Sequence, residues 1–365
     1  MSSRTEPGAA TPRGTFHALP VVGITRLTDD AVAVTLRVPD ELRGFYAFAA
    51  GQHVTVRAWA GGGEERRSYS LCSTPTELAA GVLRIGVKLL PGGVASGHIA
   101  GLRPGDPLEL SAAAGHFTTA VDAGRARHYG AIVAGSGITP VLSIVTDALH
   151  REPASRASVV FGNRAAATVM FADELADLKD RWPARVALVH VLSRERGAGE
   201  LFHGRLDADR IRALLDAPAL GLSTVDEWFL CGPYGMVLDA RGVLAERGVP
   251  DEAIRAELFH VDETLTAPAP ETAAGTTLTL LLDGRESTVT MRPGERVLDA
   301  ALRVRGELPY SCRGGVCATC RARVTDGRVT MARDYALRPA EVAAGYVLTC
   351  QSSPLTDHLT VDYDA

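Results

Sequence analysis

Lysine is almost missing from this 365-residue chain: Lys88 and Lys179 are the only two, and arginine supplies the rest of the 38 basic residues. With abundant alanine and glycine, this reflects a GC-rich coding sequence and not chemistry. An excess of basic charge is also missing. The formal net charge is −5 and the isoelectric point about 6.1. That argues against nucleic-acid binding as the main task, because neutralising phosphates takes concentrated Lys and Arg. There is no run of 18 or more apolar residues, so no membrane-spanning helix is expected. The first 14 residues are polar, carry two prolines and lack the apolar core of a secretory signal. They are expected to be disordered, and a cytoplasmic location is expected. No internal repeat occurs, and no Ser/His/Asp or HExxH arrangement asks for hydrolysis.

What is present is the composition of a folded protein. Hydrophobic residues make up 46% and charged residues 22%, and the length corresponds to two or three domains. From Phe16 to about Arg125, short apolar or alternating runs (Val21–Thr25, Ala31–Val38, His53–Ala58, Arg67–Leu71, Val82–Val87) are separated by turn clusters such as Gly61-Gly62-Gly63, Pro91-Gly92-Gly93 and Pro104-Gly105-Asp106. This predicts an antiparallel barrel over residues 15–125. The period then changes. Tyr129–Ala134, Ser158–Phe161, Val186–Leu192 and Trp228–Leu230 read as buried strands, with helices over Pro140–Leu149, Phe171–Lys179 and Tyr234–Arg247. Residues 126–263 are therefore expected to form βαβ units on a parallel sheet. Thr264–Thr277, rich in Thr, Ala and Pro, has little to bury and reads as a linker. In residues 278–365, Leu278–Leu282 and Ser287–Met291 form a predicted hairpin about Asp283-Gly284, followed by a helix over Pro293–Arg305. The expected fold class is multidomain: an antiparallel barrel, a parallel-sheet α/β domain and an α+β domain.

Six cysteines are unevenly spread. Cys312, Cys317 and Cys320 lie within nine residues, and 29 residues separate Cys320 from Cys350. A disulfide framework distributes its cysteines through a small secreted domain, so a metal or cluster site fits better. The C-x4-C-x2-C…C spacing is that of plant-type [2Fe–2S] sites. One loop can wrap three thiolates around two tetrahedral irons, with Gly314 and Gly315 letting the backbone pass close. A structural zinc site is the alternative, but it normally draws CxxC pairs from two knuckles, and here the second half offers one cysteine.

The segment from Leu308 to Cys320, LPYSCRGGVCATC, resembles the cluster loop of plant-type ferredoxins, and Gly345–Gln351 resembles their fourth-ligand segment. The resemblance covers Leu278–Ala365. It implies a β-grasp fold and a one-electron carrier with Cys312, Cys317, Cys320 and Cys350 as ligands. This part carries 11 arginines and 11 acidic residues, and its neutrality departs from the acidity of free plant ferredoxins.

Upstream, Arg67-Ser68-Tyr69-Ser70 resembles the R-x-Y-S flavin motif of the ferredoxin–NADP reductase family. The resemblance implies FAD, with Arg67 on the pyrophosphate, Tyr69 along the isoalloxazine and Ser70 at the flavin N5. An arginine fork and an aromatic ring suit those partners. Gly92-Gly93-Val94-Ala95-Ser96 resembles the family's pyrophosphate turn, giving Gly93 and Ser96 as further FAD-binding candidates. Val87 and Lys88 fall where the family contacts its flavin, although Lys88 also reads as a surface charge. Phe117, in Gly115-His116-Phe117, is either a flavin neighbour or core packing. His53 and Cys72 read as structural.

Gly135-Ser136-Gly137-Ile138-Thr139-Pro140 follows a predicted strand and precedes a helix, where a phosphate-binding loop belongs. Pro140 replaces a third glycine and suits a first helical turn. The family uses this variant for NAD(P)H, which implicates Gly135, Gly137, Thr139 and Pro140. Cys231-Gly232-Pro233 resembles the triplet beside the nicotinamide, where Cys231 positions the hydride donor. Ser193-Arg194 resembles the pair that contacts the 2′-phosphate in NADP-dependent members, with Arg164 a second candidate. NADPH is therefore expected, with NADH open. Phe259, in Glu257-Leu258-Phe259, is a candidate flavin neighbour. Ser70 and Cys231 are the expected catalytic pair.

The order of the parts implies a relay from NADPH through FAD and [2Fe–2S] to an oxygenase component. Tyr335-Ala336-Leu337, Ala343–Tyr346 and Gly162-Asn163-Arg164 extend a resemblance to the reductase components of phenylacetyl-CoA epoxygenases, diiron enzymes of aerobic phenylacetate degradation. Reductases of Rieske-type 3-ketosteroid 9α-hydroxylases share the same order, so the client stays open. A plain electron-carrier module with a decayed flavin site is the alternative of another class.

Overall fold

A computed structural model of the chain describes residues 14–60, 62–196, 199–259 and 275–365. The chain divides into two compact units. One is His17–Thr266; the other joins Ala267–Ala365 to the residues up to Phe16. The N-terminal segment expected to be disordered lies outside the described residues apart from Gly14, as does the expected linker apart from its last three residues.

In the first unit the barrel strands are β1 (Phe16–Thr28), β2 (Ala31–Arg37), β3 (His53–Ala60) and β4 (Gly63–Ser70). Helix α1 (Pro75–Ala79), β5 (Val82–Lys88), helix α2 (Val94–Ala100) and β6 (Pro107–Ser111) follow. The antiparallel sheet runs β4-β3-β6-β1-β2-β5, and a bridge from Leu71 to Ile85 draws its two ends together. Alternate residues of these strands (Leu19, Val21, Val34, Leu36, Val54, Val56, Leu83, Ile85) fill one apolar core, as a period of two requires.

The period change marks the second sheet. It is built from β7 (His128–Ala134), helix α3 (Ile138–Arg151), β8 (Arg156–Asn163), helix α4 (Ala172–Arg181) and β9 (Val186–Leu192). Helix α5 (Ala208–Asp216), β10 (Glu227–Gly232), helix α6 (Tyr234–Glu246) and β11 (Ile254–Leu258) complete it. All its pairings are parallel and the order is β11-β10-β7-β8-β9. Six of the seven residues of β7 are buried, because helices cover both faces. After β7 the chain adds strands on one side and then returns to the other. The carboxyl ends of β7 and β10 therefore flank a switch point, where open α/β sheets bind ligands. The barrel and this sheet pack through one apolar cluster, in which Ala31, Ala33 and Phe117 meet Val141, Ile144 and Phe229. Arg84 on β5 also forks onto Glu174 of α4 at 2.5 and 3.0 Å.

The second unit has a mixed sheet, β13-β12-β18-β14-β16, with β12 and β18 parallel and a small β15-β17 pair beside it. Its elements are β12 (Thr277–Leu282), β13 (Arg285–Thr290), helix α7 (Val297–Leu302), β14 (Arg321–Asp326) and β15 (Val329–Met331). Helix α8 (Pro339–Ala343), β16 (Tyr346–Leu348), β17 (Ser352–Pro354) and β18 (His358–Asp362) follow. The hairpin turn places Asp283 at φ 52° and Gly284 at φ 68°, the two positive values that an Asp-Gly turn supplies. Two expectations need correction. Thr277 begins β12 and Thr276 is fully buried, so these residues belong to the fold and not to a linker. The helix expected over Pro293–Arg305 is only α7, because Pro293 and Gly294 (φ 73°) form a turn ahead of it.

Candidate functional site

The two glycine-bearing loops of the nucleotide half meet at the switch point. Gly135–Gly137 forms a single tight turn leading into α3. A Cβ on Gly137 would lie 2.2 Å from the carbonyl oxygen of Cys231, so only glycine lets the loops approach this closely. Thr139 is buried and donates its hydroxyl to the Ser136 carbonyl at 2.7 Å. Pro140, also buried, lies within the first turn of α3. Gly232 (φ 158°) and Pro233 carry the chain from β10 into α6.

Cys231 is fully buried at the end of β10 and pairs in register with Glu257 of β11. Burial, and then the neighbouring Glu257 charge, push its thiol well above the ordinary value. It stays protonated and cannot serve as a thiolate nucleophile. Ser70, at the end of β4, is buried and donates from Oγ to Glu257 Oε2 at 3.3 Å. The other carboxylate oxygen, Oε1, lies 3.6 Å from Nδ1 of His53. The barrel motif and the nucleotide triplet thus share one carboxylate. Sequence reasoning misses Glu257, which stands out there only as a neighbour of Phe259. Its signal is the parallel pairing of β10 with β11, which becomes visible only once β11 is known to exist. Phe259 itself is exposed.

Along β4, alternation puts Arg67 and Tyr69 on one side and Ser70 on the other. Arg67 is half-exposed and ion-paired with Glu65 at 2.9 Å. Burial pushes the Tyr69 phenol up to about 12 against the opposing pull of Arg67. Gly93 precedes α2, and a Cβ there would meet Ser96 Oγ at 2.6 Å. Ser96 is buried with its hydroxyl on the Gly93 carbonyl at 3.3 Å. The Val87 side chain is fully buried in the barrel core, so only its backbone is left to face a ligand. Phe117 is buried edge-on to Phe229, with ring centres 5.5 Å apart, which is the core-packing alternative.

At the far end of the nucleotide half, β8 and β9 end together. Ser193 and Arg194 donate their backbone N–H groups to the carbonyls of Asn163 and Arg164, so the two candidate arginines are neighbours. The Asp30 carboxylate binds Arg164 at 3.2 Å and Lys88 at 3.3 Å. Arg194 is exposed. Asn163 Nδ2 is buried without a hydrogen-bond partner among the described residues. An orphaned donor beside two arginines and a glycine-only approach at Gly137 fit a phosphate-bearing dinucleotide.

In the second unit the four clustered cysteines come together as two pairs. The thiols of Cys312 and Cys317 are hydrogen-bonded to each other, and so are those of Cys320 and Cys350. Those contacts, together with burial, push the Cys312 and Cys320 thiols well above their ordinary value. Bound metal would reverse this by taking the thiolates. Among the described residues no three His, Cys, Asp or Glu side chains converge as a single metal ion would need. Two neighbouring thiol pairs suit a dinuclear cluster. Arg313 and Ala318 both have φ of 53° and Gly315 has 79°, so the loop is curled at three points. Gly314 directs its N–H at Cys312 Sγ, 3.4 Å away. Thr319 Oγ1 is buried with no partner among the described residues, a spare donor between two of the cysteines. Thr349, fully buried, donates to the Cys320 carbonyl at 2.9 Å and accepts from Tyr363 at 3.0 Å. Gln351 donates to the Arg313 carbonyl at 2.7 Å. These bonds tie the fourth cysteine's segment to the loop.

Fold and site together define a modular oxidoreductase that uses a flavin, a nicotinamide nucleotide and an iron–sulfur cluster. Three family models match in series: an oxidoreductase FAD-binding domain over residues 18–119, an oxidoreductase NAD-binding domain over 131–242 and a 2Fe-2S iron-sulfur cluster binding domain over 280–355. The chain belongs to the ferredoxin–NADP reductase superfamily, in the branch with a C-terminal [2Fe–2S] ferredoxin domain. It is 41% identical to a component of the 1,2-phenylacetyl-CoA epoxidase of Escherichia coli (strain K12), over 96% of this chain and 98% of that one. It is 32% identical to the ferredoxin reductase component of the 3-ketosteroid-9-alpha-monooxygenase of Rhodococcus rhodochrous, over 94% and 96% of the two chains. Its fold matches that of phthalate dioxygenase reductase with a TM-score of 0.55 at 21% identity, over 95% of this chain and 98% of that one. No helix among the described residues is long and apolar enough to cross a membrane.

Proposed function

We propose that this protein is the NADPH-dependent reductase of a multicomponent oxygenase, and that its client is a diiron enzyme of the phenylacetyl-CoA epoxygenase type. The single observation behind the client is the 41% identity, along nearly the whole of both chains, to one component of a phenylacetyl-CoA epoxidase. The matched spans support a flavin-binding part at 15–125, a nucleotide-binding part at 126–263 and a cluster part at 278–365. Six unbridged cysteines suit a cytoplasmic location.

Bound FAD and [2Fe–2S] supply the conversion of a hydride into single electrons. The chain's own residues bind and orient. Arg67, with the turn at Gly93 and Ser96, would hold the flavin pyrophosphate. Tyr69 would lie against the flavin ring, and Lys88, the Val87 backbone and Phe117 would be its further contacts. Ser70 donates to the N5 region. Gly135, Gly137, Thr139 and Pro140 cradle the nucleotide phosphates. Cys231, Gly232 and Pro233 hold the nicotinamide, with Cys231 keeping its proton. Arg164, Ser193 and Arg194 receive the 2′-phosphate. Cys312, Cys317, Cys320 and Cys350 would hold the cluster through their thiolates.

The purified protein is expected to show flavin bands and iron–sulfur absorption, both bleached by NADPH. With a phenylacetyl-CoA epoxygenase it should support epoxidation. Turnover only with a Rieske 3-ketosteroid hydroxylase would transfer the client to the second reading, which the 32% relative supports. Cluster absorption without any flavin would mark the chain as a carrier module.

A further inference from the structure

Several arginines of the second unit are partnered by acids. Arg303, Arg305, Arg313 and Arg321 each hold a carboxylate within 3.1 Å. Arg333 departs from this pattern. It is 8% exposed, and among the described residues of this unit it is the one charged residue that is buried. Its Nε and Nη2 are buried with no hydrogen-bond partner among the described residues, and the next residue, Asp334, is exposed. Arg333 sits against the cysteine loop. A Cβ on Gly315 would lie 3.1 Å from Arg333 Cβ and 3.0 Å from Gln351 Cγ, so Gly315, between Cys312 and Cys317, packs against both. The backbone on either side is fastened there. Ala332 donates its N–H to the Gln351 carbonyl at 3.0 Å, and Ala336 donates to the Gly315 carbonyl at 3.2 Å. In this unit the one other buried side-chain atom without a partner among the described residues is Thr319 Oγ1, in the same loop. All three orphaned atoms can donate.

A guanidinium taken out of water without a partner is costly, and a fold keeps one where a counter-charge is close. In a [2Fe–2S] cluster, four thiolates and two sulfides outweigh the charge of the two irons, and an added electron makes the group more negative still. The potential of such a cluster follows its net charge, its hydrogen bonds and its burial. Resting on the reading that Cys312, Cys317, Cys320 and Cys350 hold this cluster, we propose that Arg333 is its built-in counter-charge and raises its reduction potential. A fixed positive charge favours the reduced, more negative form over the oxidised one. That makes the cluster a readier acceptor for single electrons from the flavin. Burial keeps salt from screening the effect. The formal neutrality of this unit conceals the asymmetry. Arg303, Arg305, Arg313 and Arg321 are offset by carboxylates, whereas the charge of Arg333 is left for the cluster. Arg333 ligates no iron, and its role is electrostatic.

The test is an anaerobic redox titration of the full-length holoprotein. The reduced cluster is read by its electron paramagnetic resonance signal, and iron per chain is measured alongside. Arg333→Gln keeps a donor and removes the charge. It should hold as much iron as the wild type, and at any fixed potential its ratio of reduced to oxidised cluster should fall about tenfold, a midpoint lower by about 59 mV. Arg333→Lys keeps the charge, and should leave that ratio within about twofold of the wild type. A merely structural role would alter iron content or melting and would shift the Gln and Lys proteins alike. A Gln protein that titrates with the wild type, or Gln and Lys proteins displaced equally, would overturn the proposal. Should the Gln protein bind no iron, the Lys protein decides. Full iron with a wild-type midpoint supports the counter-charge, and loss of iron there too overturns it. A wild type without iron or without the reduced-cluster signal would overturn the cluster reading itself, and the proposal with it.

Discussion

Replacing Gly137 by alanine isolates the meeting of the two nucleotide loops. The backbone at Gly137 has φ −61° and ψ −11°, which any residue adopts, so conformational strain contributes nothing. The whole effect comes from contact. The new Cβ would sit 2.2 Å from the Cys231 oxygen, 2.6 Å from its carbonyl carbon and 3.1 Å from the Gly232 nitrogen. All three are backbone atoms of a buried strand end, so no side chain can swing aside. Restoring ordinary contact requires the loops to part by about 1 Å, and overpacking of this kind costs about 1–3 kcal/mol. For a unit of this size that corresponds to a fall in Tm of about 2–12 °C. The same displacement moves the cradle away from the nicotinamide triplet, and a 1 Å misplacement can cost about a hundredfold in rate. Thermal melting followed by flavin fluorescence, with stopped-flow flavin reduction by NADPH, reads both effects. Gly242→Ala is the control. It lies on the exposed side of α6 with nothing within 4 Å of its Cβ, and should stabilise by about 0.5–1 kcal/mol. A Gly137→Ala protein that melts with the wild type and reduces at the wild-type rate would refute the argument.

Thr349→Val keeps the shape but strips the hydroxyl shared by Tyr363 and the Cys320 carbonyl. It should cost the second unit about 1–3 kcal/mol and lower iron per chain after dialysis, measured by metal analysis and melting. Arg194→Ala should raise KM for NADPH about tenfold or more and leave KM for NADH within about twofold, in steady-state assays. Equal loss with both nucleotides would remove the 2′-phosphate role. Asp147 on α3 is buried, and desolvation raises its carboxyl pKa despite Arg151 at 3.2 Å. Above the ordinary carboxylate range the unfolded chain holds fewer protons than the native one, so this group lowers stability as pH rises. Asp147→Asn should therefore gain more in Tm at pH about 8 than at pH about 4. A gain larger at the acid end would contradict the sign.

Features written within a few consecutive residues are legible in the sequence. The Asp283-Gly284 turn, the buried run of β7 and the cysteine spacing each carry their cause locally, and the structure follows them. Features that depend on which distant segments become neighbours are not. Strand β11 escapes notice because Ile254–Leu258 neither alternates cleanly nor forms an apolar block; its identity comes from pairing with β10 across α6. Glu257 escapes with it. His53 reads as structural because nothing around it reveals a carboxylate 204 positions downstream. Phe117 and Val87 carry a family expectation of flavin contact, whereas packing against Phe229 and the barrel core decides where their side chains lie. The helix expected after Pro293 comes out too long, since apolar spacing continues past the point where the Pro-Gly turn and α7 divide it.

The two cysteines that are not candidate cluster ligands have a practical bearing on handling the protein. Cys72 and Cys231 are both buried, and burial lifts the Cys72 thiol to about 12 and that of Cys231 well above its ordinary value. A maleimide reacts with accessible thiolate, so native protein should leave both unlabelled. Any label taken up without denaturant then comes through the cluster segments, where Cys312 is the one cysteine of the four that is not buried. The fraction of chains that have lost their iron becomes a stoichiometric readout by intact mass, with no need to weigh one overlapping chromophore against another.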